Sequence, residues 1–335
     1  INMKIYLAGD SIVQNYEKEE FIAGWGQFLP FFIKDGVEVV NDAKGGRSSR
    51  LFINEGRFDN IEKNISAGDY LLIEFCHNDD ASKEYKTMFN RLTPLGEPDS
   101  DGRFPIIPGE AMPKDYIPPE YIDALRKDEN VKDKQAVLDS VYKILESYPH
   151  DTYYPYSADG SKGTYLGFLK QFVDMAREKG AVPVFVTAPA RTVYDANGNI
   201  KDGAGLHGGN NFAYIRAMKQ LGEEAKVPVI DLFAYSCGLY KQIGKEKIHW
   251  ITSIKKGCNK GIWPDDFNSE MQKKETVSED THFNKYGAML ITQGLVKLIK
   301  ESDSSQLDGL KGMLKNPDGI DIEKYVKKPL VFEKF

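Results

Sequence analysis

The stretch Lys4-Ile5-Tyr6-Leu7-Ala8-Gly9-Asp10-Ser11 decides how this chain is read. An apolar run, Ile5 to Ala8, reads as a strand. It passes at once into a permissive glycine, an acid and a hydroxyl. Open α/β sheets bind ligands beyond the carboxyl ends of their strands, so a serine at that place is a candidate nucleophile. Gly-Asp-Ser alone is a common tripeptide, and a serine is a weak nucleophile without an adjacent base. The reading therefore depends on three later segments: NDAKGGRSSR at 41–50, EFCHNDD at 74–80 and SEDTHFNKYGA at 278–288.

Further apolar runs follow the first: Glu38 to Asn41, Tyr70 to Phe75, Val182 to Ala188 and Pro228 to Asp231. Helical periodicity lies between or after them, over Trp25 to Lys34 (closed near Gly36), Tyr165 to Lys179 (stopped by Gly180), Asn211 to Ala225 and Lys285 to Lys300. Alternating strands and helices predict parallel pairing. The expected fold is α/β, a three-layer αβα sandwich on a parallel sheet of about five strands. One domain is expected over 1–300, followed by a tail over 301–335. That tail is polar at first and apolar at Pro329 to Phe332. About 90 residues separate the third strand from the helix at Tyr165, far more than an ordinary βα connection. This insertion, about 81–164, is rich in Pro, Tyr and charge and contains a predicted helix over Val137 to Tyr148. It reads as a lid or substrate wall, or else as a surface excursion or oligomer contact. The irregular stretch Lys245 to Glu279 is expected over the same face.

The 335 residues carry a formal charge of −6 and a pI near 5.6, which argues against a nucleic acid or an anionic membrane as partner. No run approaches the length of a membrane span, and the chain opens on strand rather than on a leader. Three cysteines (Cys76, Cys237, Cys258) do not form a disulfide framework, which points to a reduced, cytoplasmic compartment. An exported chain trimmed of its leader would read the same way.

Each motif carries its own chemistry. His282 follows Glu279 and Asp280 and precedes a helix, so it is the base candidate, with a nearby carboxylate to orient its ring. Gly45-Gly46 lets a backbone N–H face a reacting oxygen unobstructed. Asn78 can aim an amide N–H at a developing oxyanion. A metal site at His77, Asp79 and Asp80 is the competing reading, but no HExxH, CxxC or His-x-His spacing supports it. GxGxxG and the P-loop are also absent. His207, in GAGLHGGNN, follows the fourth strand and is placed to touch substrate. His249 reads as an ordinary loop residue. Tyr153 to Tyr156 and Trp263 are candidates to stack on sugar rings, or else to pack at the rim.

Together the four segments resemble the SGNH (GDSL-type) hydrolase superfamily, and within it most closely the rhamnogalacturonan acetylesterase family of carbohydrate esterases. GDS, NDAxxGRSxR, EFxHND and THFxxYGA carry the resemblance, which spans Lys4 to about Lys300 apart from the insertion. It implies a flavodoxin-like sheet and ester hydrolysis with no metal and no cofactor. Ser11 would be the nucleophile and His282 the general base. The oxyanion hole would comprise the N–H groups of Ser11 and Gly46 with the side chain of Asn78. The implied substrate is an acetylated plant cell-wall polysaccharide or its oligosaccharides: pectin or rhamnogalacturonan, xylan, or mannan. Asp10, Arg47, His207 and Trp263 are the candidate substrate contacts. Other superfamily members are short-chain esterases, lipases and thioesterases, and a glycan-binding relative without turnover is the remaining alternative.

Two positions depart from the family pattern. Cys76 replaces the glycine usual before His-Asn-Asp, with a narrower pocket or an altered turn as the expected consequence. Glu279 stands where the family acid lies, three residues before the histidine. Spacing favours Glu279, and Asp280 is the other candidate.

Overall fold

The computed structural model of the chain describes residues 3–18, 21–82, 89–201, 211–254 and 278–326. Its centre is a sheet of five parallel strands: β1 (Lys4–Ala8), β2 (Glu38–Asn41), β3 (Tyr70–Ile73), β4 (Val182–Val186) and β5 (Val229–Ile230). The strands run in the order β2-β1-β3-β4-β5, the flavodoxin-like arrangement. Every residue of β3 is buried, because helices cover both faces of a parallel sheet. The register brings the strand ends together. Leu7 pairs with Asn41 on one side and with Leu72 on the other. The segments after β1, β2 and β3 therefore leave the sheet as neighbours, and they are the ones that carry Ser11, Gly46 and Asn78.

The helices, in chain order, are α1 (Trp25–Phe28), α2 (Ser49–Asn54), α3 (Arg57–Asn64), α4 (Pro119–Lys127), α5 (Lys134–Glu146), α6 (Tyr165–Glu178), α7 (Ala213–Glu224), α8 (Leu232–Ile243), α9 (Lys285–Glu301) and α10 (Asp308–Met313). Those expected at 165, 211 and 285 form within two residues of the predicted bounds. The helix expected over Trp25 to Lys34 is broken. It stops at Phe28 and continues as a 3₁₀ turn over Leu29–Phe32, since Pro30 has no N–H to donate. Helices α2, α3 and α4, of six, eight and nine residues, are too short to stand out as periodic segments, and α8 is only weakly amphipathic.

His282 was expected just before a helix, with no strand placed there. It lies instead on a strand, Ser278–Asn284, which pairs antiparallel with Ile22–Ala23 and Thr252–Ile254. The THFNKYGA motif explains the junction with α9. Asn284 caps the helix by accepting the N–H of Gly287 at 2.8 Å, and its amide donates to the carbonyl of Trp250 at 2.7 Å. A Cβ on Gly287 would lie 2.0 Å from the Ile251 carbonyl oxygen, so only glycine lets the strand and helix meet this closely.

The insertion carries α4, α5 and a short antiparallel ribbon, Met112–Pro113 with Thr152–Tyr153. These pack into a small hydrophobic cluster of their own around Tyr121, Leu125, Val141 and Leu145. The insertion is tied to the main body by Leu51 and Arg50 of α2. Arg50 is 1% exposed and donates to three insertion carbonyls: Phe89 at 2.5 Å, Leu92 at 2.8 Å and Tyr154 at 2.8 Å. Burial pulls its pKa down, yet guanidinium stays charged because its ordinary value is so high. We expect Arg50→Met to cost about 3 kcal/mol in chemical denaturation, because three buried carbonyls lose a charged donor. A loss under about 0.5 kcal/mol would show that the insertion docks without this anchor.

Residues 302–326 fold back on the main core. Leu307, Leu310, Met313 and Leu314 are buried there, and Ile33 bridges Leu314 antiparallel. The apolar end over Pro329 to Phe332 lies outside the described residues. No described helix is long and apolar enough to cross a membrane.

Candidate active site

Ser11 lies on the turn after β1, half-buried. The turn is built by Asp10, whose backbone oxygen accepts the N–H of Val13 and of Gln14, both at 3.1 Å, and whose carboxylate accepts the N–H of Ile12 at 2.9 Å. Ser11 Oγ lies 2.7 Å from Nε2 of His282, and Nδ1 of the same ring lies 2.5 Å from Oε1 of Glu279. That oxygen also accepts the backbone N–H of His282 at 2.5 Å. One carboxylate thus fixes both the main chain and the ring. With Nδ1–H donating to Glu279, Nε2 is left as an acceptor facing the serine hydroxyl.

Asp280 does not touch the ring. Its side chain is exposed and accepts from the Thr281 hydroxyl at 3.0 Å, while its carbonyl accepts the N–H of Thr192 at 2.8 Å. Regular alternation would favour Asp280, which would then share a face with His282, but the strand is irregular between Ser278 and Phe283, and that irregularity turns Glu279 to the ring.

The loop after β2 brings Gly45 and Gly46 to the serine. The Gly45 N–H donates to Oε1 of Gln14 at 2.5 Å, and Tyr16 donates its hydroxyl to the Ser11 carbonyl at 2.8 Å. Sequence reading missed Gln14 and Tyr16, whose partners lie across a turn and carry no spacing signal. Gly46 has φ +81°, in the region that favours glycine. Asn78, 8% exposed, donates one amide N–H to the Arg47 carbonyl at 3.3 Å and so sits against the same loop. Among the described residues, neither the Ser11 N–H nor the Gly46 N–H has a protein acceptor. The serine's own N–H and that of Gly46, whose neighbour Gly45 packs against Ser11, are therefore left without an internal partner.

Two of the expected substrate contacts are otherwise engaged. Asp10 is fully buried and shapes the turn, beyond the reach of a ligand. Arg47 braces its own loop, with both Glu55 carboxylate oxygens at 2.5 and 2.8 Å and the Gly45 carbonyl at 2.7 Å. His207 and Trp263 lie outside the described residues. Within the insertion, Tyr153 and Tyr156 are buried in its own cluster, so packing, and not stacking on sugar, is what the fold gives these two.

The residues beneath the site form a buried acidic layer. Glu74 is fully buried. Desolvation first, and then the neighbouring Asp10 carboxyl, push its pKa well above the usual carboxylate range. Burial pushes Asp79 up to about 7, against donors from Ser49 that favour the charged form. Asp80 accepts from the N–H and hydroxyl of Ser82 at 3.0 and 2.6 Å. Among the described residues, no group of three His, Cys, Asp or Glu side chains is arranged to hold a metal ion. Cys76 is buried, and its carbonyl accepts the N–H groups of Asp79 and Asp80. Its φ is not in the left-handed region, so the turn accepts a side chain there, and burial pushes the thiol far up.

A flavodoxin-like sheet with serine, histidine and carboxylate joined beyond the carboxyl ends of its strands is the arrangement of a serine hydrolase. The rhamnogalacturonan acetylesterase RhgT of Bacillus subtilis (strain 168) is 30% identical over 300 residues, 89% of this chain and 90% of that protein. A probable rhamnogalacturonan acetylesterase of the same organism, YesY, is 30% identical over 298 residues, 89% of this chain and 92% of the relative. The chain belongs to the rhamnogalacturonan acetylesterase family and is an ester hydrolase. No family model matches it. The crystal structure of Bacillus subtilis YxiM superimposes with a TM-score of 0.51 at 20% identity, over 91% of this chain and 58% of that one, a likeness of fold alone.

Proposed function

We propose that this protein is a serine acetylesterase acting on acetylated plant cell-wall polysaccharide or its oligosaccharides. The observation that carries the reading is the hydrogen-bonded chain Ser11–His282–Glu279 together with two uncommitted amide donors. The names of the relatives support the acetyl group and the glycan.

In this mechanism Ser11 Oγ attacks the ester carbonyl carbon as His282 Nε2 takes its proton. Charge collects on the carbonyl oxygen and is held by the N–H groups of Ser11 and Gly46 and by the amide of Asn78. His282 then returns the proton to the departing sugar oxygen, leaving an acetyl-serine. Water attacks that ester with His282 again as base, and acetate leaves with Ser11 restored. The Glu279 carboxylate holds the ring tautomer and stabilises the imidazolium. The insertion forms one wall of the cleft in this reading.

Acetate release from acetylated pectin, xylan and mannan oligosaccharides tests the proposal. We expect release from at least one of them. Cleavage of short aryl esters with no acetate from any glycan would keep a serine esterase and remove the carbohydrate. Sugar binding without any hydrolysis would leave a glycan-binding relative.

A further inference from the structure

Arg47 and Arg50 lie within residues 45–50 and Arg91 packs against this stretch at Gly46; the first two have their donors engaged. Arg47 is held by Glu55 and the Gly45 carbonyl, and Arg50 by three insertion carbonyls. Arg91 differs. It comes from the insertion, is half-buried, and packs closely against Gly46: a Cβ built there would fall 3.2 Å from Nη2, 3.3 Å from Cζ and 3.6 Å from Nε. Among the described residues its guanidinium has no ion-pair partner and no hydrogen-bond acceptor. Desolvation first, then the neighbouring Arg47, pull its pKa down. A half-buried cation beside a second cation is unfavourable unless an anion joins it. Arg91 packs against Gly46 without a hydrogen bond to the loop among the described residues.

We propose that Arg91 is a specificity-determining residue that binds the carboxylate of a uronosyl unit in the acetylated chain. Its guanidinium presents parallel N–H groups of the kind a carboxylate accepts in pairs. The position is appropriate, since Arg91 packs on Gly46 and the preceding Gly45 packs on Ser11. A substrate whose ester carbonyl enters the oxyanion site would carry neighbouring sugar substituents past Arg91. The overall charge of −6 makes a local cation the more necessary for an anionic polymer to dock. Xylan and mannan backbones lack a backbone carboxylate, so the residue selects the pectic class among the candidate glycans. It also gives the insertion a role at the site, as the element that delivers the selecting charge. This inference rests on the acetylesterase reading above.

The test compares an acetylated uronate oligosaccharide with the same oligosaccharide after its carboxyls are reduced to primary alcohols. The readout is the ratio of kcat/KM for the two, in the wild type, Arg91→Gln and Arg91→Lys. The wild type is expected to prefer the carboxylate form. Arg91→Gln should cut that ratio by about 10- to 100-fold, chiefly through KM, and Arg91→Lys should restore part of it. If the wild type treats both forms alike, or if Arg91→Gln lowers both in step, the inference is overturned and the acetylesterase reading stands. If the wild type releases no acetate from either form while folded, the acetylesterase reading fails and the inference goes with it.

Discussion

Ser11→Ala is expected to lower kcat for ester hydrolysis by about 10⁴- to 10⁶-fold, the range seen when a triad nucleophile is removed. The geometry explains why so small a change would be so costly. The one hydrogen bond described for Ser11 Oγ is to His282 Nε2, so alanine removes the attacking atom and little else. The Ser11 and Gly46 N–H groups, Asn78 and the Tyr16 contact with the Ser11 carbonyl all survive. Residual turnover from the oxyanion donors alone is expected, as the remaining machinery still stabilises charge. His282→Ala should produce a loss of similar size, and the double variant should be scarcely worse than either single one, because the two residues act as a unit. Initial rates on an aryl acetate, with a thermal melt to confirm folding, decide it. Turnover within tenfold of wild type in Ser11→Ala would end the serine mechanism.

The second large effect separates two adjacent acids. Glu279→Gln should lower kcat by about 10³- to 10⁴-fold, whereas Asp280→Asn should change it by no more than about threefold. Glu279 Oε1 accepts from both the ring Nδ1 and the backbone N–H of His282. A glutamine that turns its oxygen toward the backbone N–H can still support the main chain. It brings no negative charge to the imidazolium, and an NH₂ turned to the ring would favour the wrong tautomer. Asp280 points to solvent and touches Thr281, so neutralising it alters only an exposed carboxylate. Equal losses in the two variants, or a larger loss in Asp280→Asn, would contradict this assignment. Steady-state kinetics of both variants on one ester suffices.

Much of the site was legible because its parts sit at strand ends. Ile5 to Ala8, Tyr70 to Ile73 and Val182 to Val186 are apolar runs broken sharply by polar residues, and such runs mark buried parallel strands. The motifs were recognisable because each residue has a local job. Asn284 caps a helix, Gly287 admits a close backbone approach, and Ser48 accepts the N–H of Leu51 at 3.1 Å. Asp10 was misjudged for the same reason. Its place beside Ser11 suggested substrate contact, but its partner is the amide two residues on. The strand that carries His282 escaped notice because its partners, 22–23 and 252–254, are short and distant in sequence.

By itself the sequence determined the sheet, the order of its strands' polar ends, and the serine, histidine and asparagine that gather there. These follow from local physics: apolar runs, turn-forming glycines and caps act over a few residues. It narrowed the acid to two neighbours and could go no further, since spacing does not say where a side chain points. Tertiary structure chose Glu279 by folding its carboxylate back onto the ring. It also withdrew Asp10 and Arg47 from the cleft, and it brought Arg91 from the insertion onto Gly46. Those outcomes depend on pairings across tens to hundreds of residues, where the deciding quantity is which donors and acceptors are left unpaired once the core has closed.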